Sequence, residues 1–181
     1  MARIAQVEYE TASLETQALW DKVSKEHSIS NMKATALHSA ASTHAILEWY
    51  ALFDTVKPFL GERLAVLYCH AISRENACKL CWTFMRKEII DGGEDPEQVQ
   101  LDEREATVVE FGRQLAADPN RISDELFSRL HEFYSDAQIV DLVTFGALMV
   151  VNNIFNSALQ VELDDHLDSY RINPEQLTVH S

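Results

Sequence analysis

The chain has 181 residues, and its 15 Lys and Arg face 29 Asp and Glu, a net charge of −14 with histidine neutral. That length supports one domain with its own core and no disulfide staples, and so acidic a balance excludes the basic face that nucleic acid or an anionic membrane surface requires. With 46% apolar and 24% charged residues the composition is globular, and five glycines and four prolines, about 5% of the chain, fall well below the ~12% of average proteins, which predicts a mostly helical fold.

Met1 to Glu8 lacks the apolar stretch of a signal peptide, so a cytoplasmic location is expected. Three cysteines are an odd count and do not suit a secreted disulfide framework. One domain over 1–181 is predicted, with 1–30 as an N-terminal helical extension. Between residues 12 and 57 apolar residues recur at helical spacing: Leu14, Ala18, Leu19 and Val23, then, after Asn31 as N-cap, Leu37, Ala41, Ala45, Leu52 and Val56. Pro58 and Gly61 punctuate the pattern. A helix is predicted from Glu62 to about Ile72. Ser73 or Asn76 caps the next, which stops at Gly92-Gly93.

Residues 91–100 read as a loop, and the acids from Glu94 to Glu110 as a solvated surface. Asp102 with Glu105 makes a capping box for a helix to Ala117, Ser123 opens a short helix to Phe133, and Ser135 with Gln138 caps a long apolar one. Within it, Leu142–Val161 is broken by Gly146, Asn152, Asn153 and Asn156, which suits a buried helix better than a membrane span. No strand pattern appears. The fold class is all-α, with about seven helices, and 170–181 reads as a tail on a neighbouring subunit. The long apolar helices exceed what one small bundle must bury, so a homo-oligomer is expected.

The sharpest chemical feature is Cys78-x-x-Cys81. On a helix that spacing puts both sulfurs on one face, and near a helix start the backbone N–H groups, with Arg74 and Lys79, favour a thiolate. The same spacing fits two small buried residues equally well. A zinc site would have to draw on Cys69, His70, Cys78 and Cys81, but Cys69 and His70 point about 100° apart on a helix and no second ligand pair follows. No metal and no other cofactor is expected. Trp49, Tyr50, Phe53, Trp82, Phe84 and Met85 read as walls of an apolar pocket or as core.

From about Asn31 to Leu167 the chain resembles the AhpD-like superfamily, which contains alkylhydroperoxidase AhpD and carboxymuconolactone decarboxylase. The resemblance rests on Cys78 and Cys81, on Gly92-Gly93 about a dozen residues later, and on the helices that follow. It implies an AhpD-like helical bundle and homo-oligomers, among which dimers, trimers and hexamers are the expected states. It also implies a thiol oxidoreductase acting on a hydroperoxide or other small organic substrate and reset by a dithiol reductant. By the family's roles Cys81 attacks peroxide and Cys78 resolves the sulfenic acid, whereas the helix dipole alone favours Cys78 as the thiolate. The family's relay histidine and glutamate are replaced here by Met85 and Val66, leaving His70, Glu75 and Glu62 as the candidate proton carriers and predicting weak peroxidase activity. Two other functions compete: a carboxymuconolactone-decarboxylase-like enzyme on a small acidic substrate, and a catalytically silent binding or structural member of the fold.

Overall fold

The structure, a computed structural model, describes residues 1–171; the tail expected at 170–181 lies almost wholly outside the described residues. Eight α-helices follow in order: α1 (Leu14–Glu26), α2 (Asn31–Ala36), α3 (Ala40–Leu60), α4 (Glu62–Glu75), α5 (Lys79–Asp91), α6 (Glu103–Ala117), α7 (Asp124–Phe133) and α8 (Asp136–Leu159). Short 3-10 turns stand at Tyr9–Thr11, Pro119–Arg121 and Asp165–Tyr170, and the described residues contain no strand.

The capping signals act as their chemistry dictates. Asp102 with Glu105 and Ser135 with Gln138 both form reciprocal capping boxes, and the Ser123 side chain accepts from the Leu126 N–H. Three differences from the sequence reading have local causes. The segment after Asn31 is two helices, because Ser39 leaves helical geometry and its side chain accepts the Ser42 N–H to start α3, so the described residues hold eight α-helices where about seven were expected. The cap of α2 is Ser30, while the Asn31 N–H donates to Asp164 Oδ1 at 2.8 Å. Pro58 does not end α3, which runs through it to Leu60 and stops at Gly61, where φ is +82°.

Helix α4 is the central strut. Leu64, Ala65, Leu67, Tyr68, Cys69, Ile72 and Ser73 are buried against α3, α5, α6 and α8. Tyr68 fixes the spacing of three helices: its ring lies against α6 and α8, and its hydroxyl donates to the Leu142 carbonyl at 3.1 Å. The approach is possible because Gly112 and Gly146 carry no side chain. A Cβ would lie 2.6 Å from the Tyr68 ring at the first and 2.2 Å from its hydroxyl at the second.

Helix α8 is long and apolar enough to cross a membrane by length and composition. Its inner face is core, with Ile139, Leu142, Phe145, Gly146 and Met149 followed by the buried Asn152, Asn153 and Asn156. The acids after α5 are more than a solvated surface. Arg63 bridges Glu94 at 2.6 Å and Glu105 at 2.5 Å and reaches the Gln100 carbonyl, and Arg86 pairs with Glu97 at 2.6 Å. They pin the loop over one end of α4.

Candidate functional site

The cysteine pair is built by a sharp joint between α4 and α5. Helix α4 ends with Ala77 in the left-handed region, φ +50°. The Cys78 N–H bonds back to the Ser73 carbonyl at 3.1 Å and the Ala77 N–H to the Arg74 carbonyl at 3.0 Å, the two reverse bonds of a Schellman motif. Buried amides lock this joint: Asn153 Nδ2 donates to Asn76 Oδ1, the Ser73 hydroxyl donates to Asn153 Oδ1, and Asn76 Nδ2 donates to the Ala116 carbonyl. The residue after the left-handed alanine is at once the N-cap of α5, and it is Cys78. Ser73 and Asn76, expected as the cap, close the preceding helix instead.

Cys78 therefore stands outside the helix proper and Cys81 is its third residue. At an N-cap a side-chain acceptor faces the unpaired N–H groups of the first turn, and a thiolate is such an acceptor. The Cys81 thiol, donating toward Cys78, pulls the Cys78 pKa down to about 7 against the opposing effect of burial. The Cys81 and Leu80 N–H groups and the Ser157 hydroxyl add to the shift. For Cys81 the same contact and burial act the other way and hold it protonated, well above its ordinary value, opposed by the Asn156 amide. Asn156 Nδ2 donates to Cys81 Sγ at 3.1 Å and to Met32 Sδ at 3.1 Å. The two thiols are thus pushed in opposite directions, Cys78 down and Cys81 up.

Each sulfur opens on a different cavity. Cys78 lines a cleft of about 690 Å³ with Lys79, Thr83, Asn156, Ser157 and Glu162 on its walls. Cys81 lines a smaller pocket of about 250 Å³, walled by Ile46, Trp49, Tyr50, Phe84, Met85 and Met149 and floored by Lys33 and Asn152. Met85 and Cys81 face this pocket together, as their spacing of one helical turn predicts.

The other candidates are not brought to the pair. Glu62 is exposed in the first turn of α4, paired with Lys57 at 2.9 Å; the cysteines follow the other end of that helix, roughly 20 Å away at 1.5 Å per residue. His70 is half-buried and lines neither cavity. Its Nε2 accepts the Trp82 indole N–H at 2.9 Å. Burial, then Arg74 and Arg86, lower its pKa to about 4, so it is neutral at pH 7 with that nitrogen already occupied. Glu75 also lines neither cavity. Burial pushes the Cys69 thiol up. The residues that do touch the pair, Asn156 and Ser157, stand in the sequence as polar interruptions on an apolar helix. That was their signal, because a buried amide needs a partner.

No family model matches the chain, and no curated protein matches it. Solved structures do. The debrominase Bmp8 is 12% identical over 96% of this chain and 97% of its own, with a TM-score of 0.71. A peroxidase-related protein from Silicibacter sp. TM1040 is 16% identical over 92% and 96%, with a TM-score of 0.70. An alkylhydroperoxidase AhpD core protein, peroxidase-related, from Ralstonia eutropha JMP134 is 13% identical over 92% and 94%, with a TM-score of 0.66. At these identities the likeness is one of architecture, and the architecture of this chain is the AhpD-like helical fold.

Proposed function

We propose that the chain is a thiol-dependent oxidoreductase that reduces a small organic hydroperoxide with Cys81 and Cys78. The observation that carries the reading is the placement of two buried cysteines, Cys78 at the N-cap of α5 and Cys81 in its first turn, with an apolar pocket on the Cys81 side. The Cys81 thiol passes its proton to the Cys78 thiolate, which takes the part of the missing histidine. The Cys81 thiolate attacks the terminal peroxide oxygen, the O–O bond breaks, and the alkoxide leaves and is protonated by water. Cys78, deprotonated again, attacks the Cys81 sulfenic acid; the S–S bond forms and hydroxide departs. Two thiols and a hydroperoxide become a disulfide, an alcohol and water, and a dithiol reductant resets the pair by exchange through the outer cleft, where Cys78 is reached.

Dimedone trapping with cumene hydroperoxide tests these roles. Cys78→Ser should accumulate a sulfenic acid on Cys81, more slowly than wild type loses its thiols, because the proton acceptor is gone. Cys81→Ser should trap little. A sulfenic acid formed chiefly on Cys78 contradicts the assignment.

A second reading is favoured by the likeness to a debrominase. Oxidising two thiols to a disulfide supplies the two electrons needed to replace a C–Br bond by C–H, and the Cys81 pocket is apolar. Release of bromide from an aryl bromide with stoichiometric loss of two thiols, and none on incubation with hydroperoxide, would favour it.

We further propose that the chain self-associates through α8. Val140, Thr144, Ala147, Val151, Ile154 and Ala158 recur at alternating steps of four and three and are exposed, Val140 by 63% and Ile154 by 60%. No charge interrupts this seam, which is the pattern of a helix pairing with a copy of itself. Light scattering should give a mass above one chain, and Ile154→Glu should lower it.

A further inference from the structure

We propose that the pocket beside Cys81 takes a small aromatic carboxylate, held by the Lys33 ammonium. This deepens the thiol reading by naming the chemical class that the pocket selects, and rests on it for the presence of a reacting sulfur.

Lys33 is a buried cation without a counterion. It is 7% exposed on the short helix α2, and its Nζ donates one hydrogen bond, to the Ser28 carbonyl at 2.9 Å. The Tyr50 ring lies beneath it at 5.0 Å. An ammonium has three N–H donors, and among the described residues no carboxylate stands within ion-pair distance of this one. Lysines buried to this degree are almost always paired.

The titratable groups around the pocket do not pair with Lys33. Asp164 lines the pocket as a carboxylate, but it stands outside ion-pair distance of Lys33, and its Oδ1 accepts the Asn31 N–H. His27 stacks on Tyr50 at 4.1 Å between ring centres, and burial and Lys33 itself lower its pKa; an imidazole carries no negative charge in either form. His166, which lines the pocket, is a further imidazole and carries no negative charge in either of its forms.

The rest of the pocket suits a flat apolar body. Trp49, Tyr50 and Phe84 offer ring faces, and Met85 and Met149 offer adaptable thioethers. A volume of about 250 Å³ is below the ~300–1,000 Å³ of pockets for drug-sized ligands, so the ligand is of single-ring size. A carboxylate on Lys33 leaves the remainder of such a molecule within the cavity that Cys81 lines.

Benzoate and its neutral isostere benzamide test this without turnover, titrated into the reduced full chain by calorimetry and by quenching of tryptophan fluorescence. Benzoate should bind wild type at least tenfold more tightly than benzamide. Lys33→Met should remove that preference, while Lys33→Arg should keep it within a few-fold. The wild-type preference and the Lys33→Arg result stand whether or not Lys33→Met folds. Absence of benzoate binding, equal binding of benzamide, or unchanged benzoate affinity in folded Lys33→Met overturns the proposal. Peroxide-driven disulfide formation, read on the same samples, separates the two readings: disulfide without benzoate binding overturns the anion site alone, and benzoate binding without disulfide overturns the thiol chemistry alone.

Discussion

The two halves of α8 carry different burdens on the same face. From Ile139 to Met149 the inward residues are apolar and close-packed, and Gly146 exists to admit Tyr68. From Asn152 to Asn156 the inward residues are amides, and they bind the Asn76 side chain, the Met32 sulfur and the Cys81 sulfur. The first half is shape alone, where one methyl group is too many. The second half gives up apolar packing for hydrogen bonds, and it even leaves Asn152 Oδ1 and Asn156 Oδ1 buried without a partner in the described residues. Buried acceptors of that kind lower stability, and both stand on the stretch of α8 that packs beside the cysteine pair.

Substitutions in the two halves should therefore separate stability from reactivity. The largest effect is expected in the first half. Gly146→Ala places a methyl 2.2 Å from the Tyr68 hydroxyl and 2.6 Å from Leu115, and the fully buried Tyr68, held by its bond to the Leu142 carbonyl, has little room to give way. Overpacking of this kind costs about 1–3 kcal/mol or more, and urea unfolding should show it, with thiol reactivity unchanged in the fraction that remains folded.

Asn156→Leu, one half-helix further on, should reverse that pattern. It removes a hydrogen bond to Cys81 together with an unsatisfied buried oxygen, so stability should change little. Oxidation of Cys81 should slow about tenfold, the rate equivalent of about 1.4 kcal/mol of lost thiolate stabilisation. A large loss of stability with unchanged oxidation would mean that both halves of α8 serve packing alone.

The lowered Cys78 pKa makes a pH prediction. The Cys78 pKa is lower in the folded chain than in the unfolded one, so its contribution to stability is fully present above the unfolded value near 9. That contribution is lost as pH falls through about 7. The stability difference between wild type and Cys78→Ser should grow from pH 7 to pH 9, and iodoacetamide should alkylate wild-type Cys78 with a midpoint near 7. A midpoint near 9 would deny the N-cap its effect.

The smallest effect belongs to the joint that precedes the pair. Ala77 sits at φ +50°, where a non-glycine residue costs about 1–2 kcal/mol; allowing for the greater entropy that glycine loses on folding, Ala77→Gly should stabilise by about 0.5–1 kcal/mol in denaturant unfolding.

Helix order, both capping boxes and the Cys78-x-x-Cys81 pair were legible in sequence because each is written in local spacing. The joint was not, because it depends on an alanine adopting the conformation reserved for glycine, and no residue type announces that. The placement of the candidate proton carriers was not legible for a different reason. Glu62 and His70 are close to the pair in sequence, but Glu62 lies at the far end of α4 and His70 is turned toward Trp82. Asn156 and Lys33 are distant from the pair in sequence and are brought to it by the packing of α8 on α5 and by the pocket that residues of α2 and α5 line together. The misplaced polarity of a buried amide was visible, but its partner was not.

The proposed function stands or falls on Cys78 and Cys81 acting together as one redox unit. The most direct measurement is to oxidise the reduced full chain with one equivalent of cumene hydroperoxide, then label the remaining thiols and map them by mass spectrometry. Two thiols should disappear, the lost pair should be a Cys78–Cys81 disulfide, Cys69 should stay labelled, and dithiothreitol should restore both. Retention of all three thiols, or a disulfide that includes Cys69 in place of either partner, would contradict it.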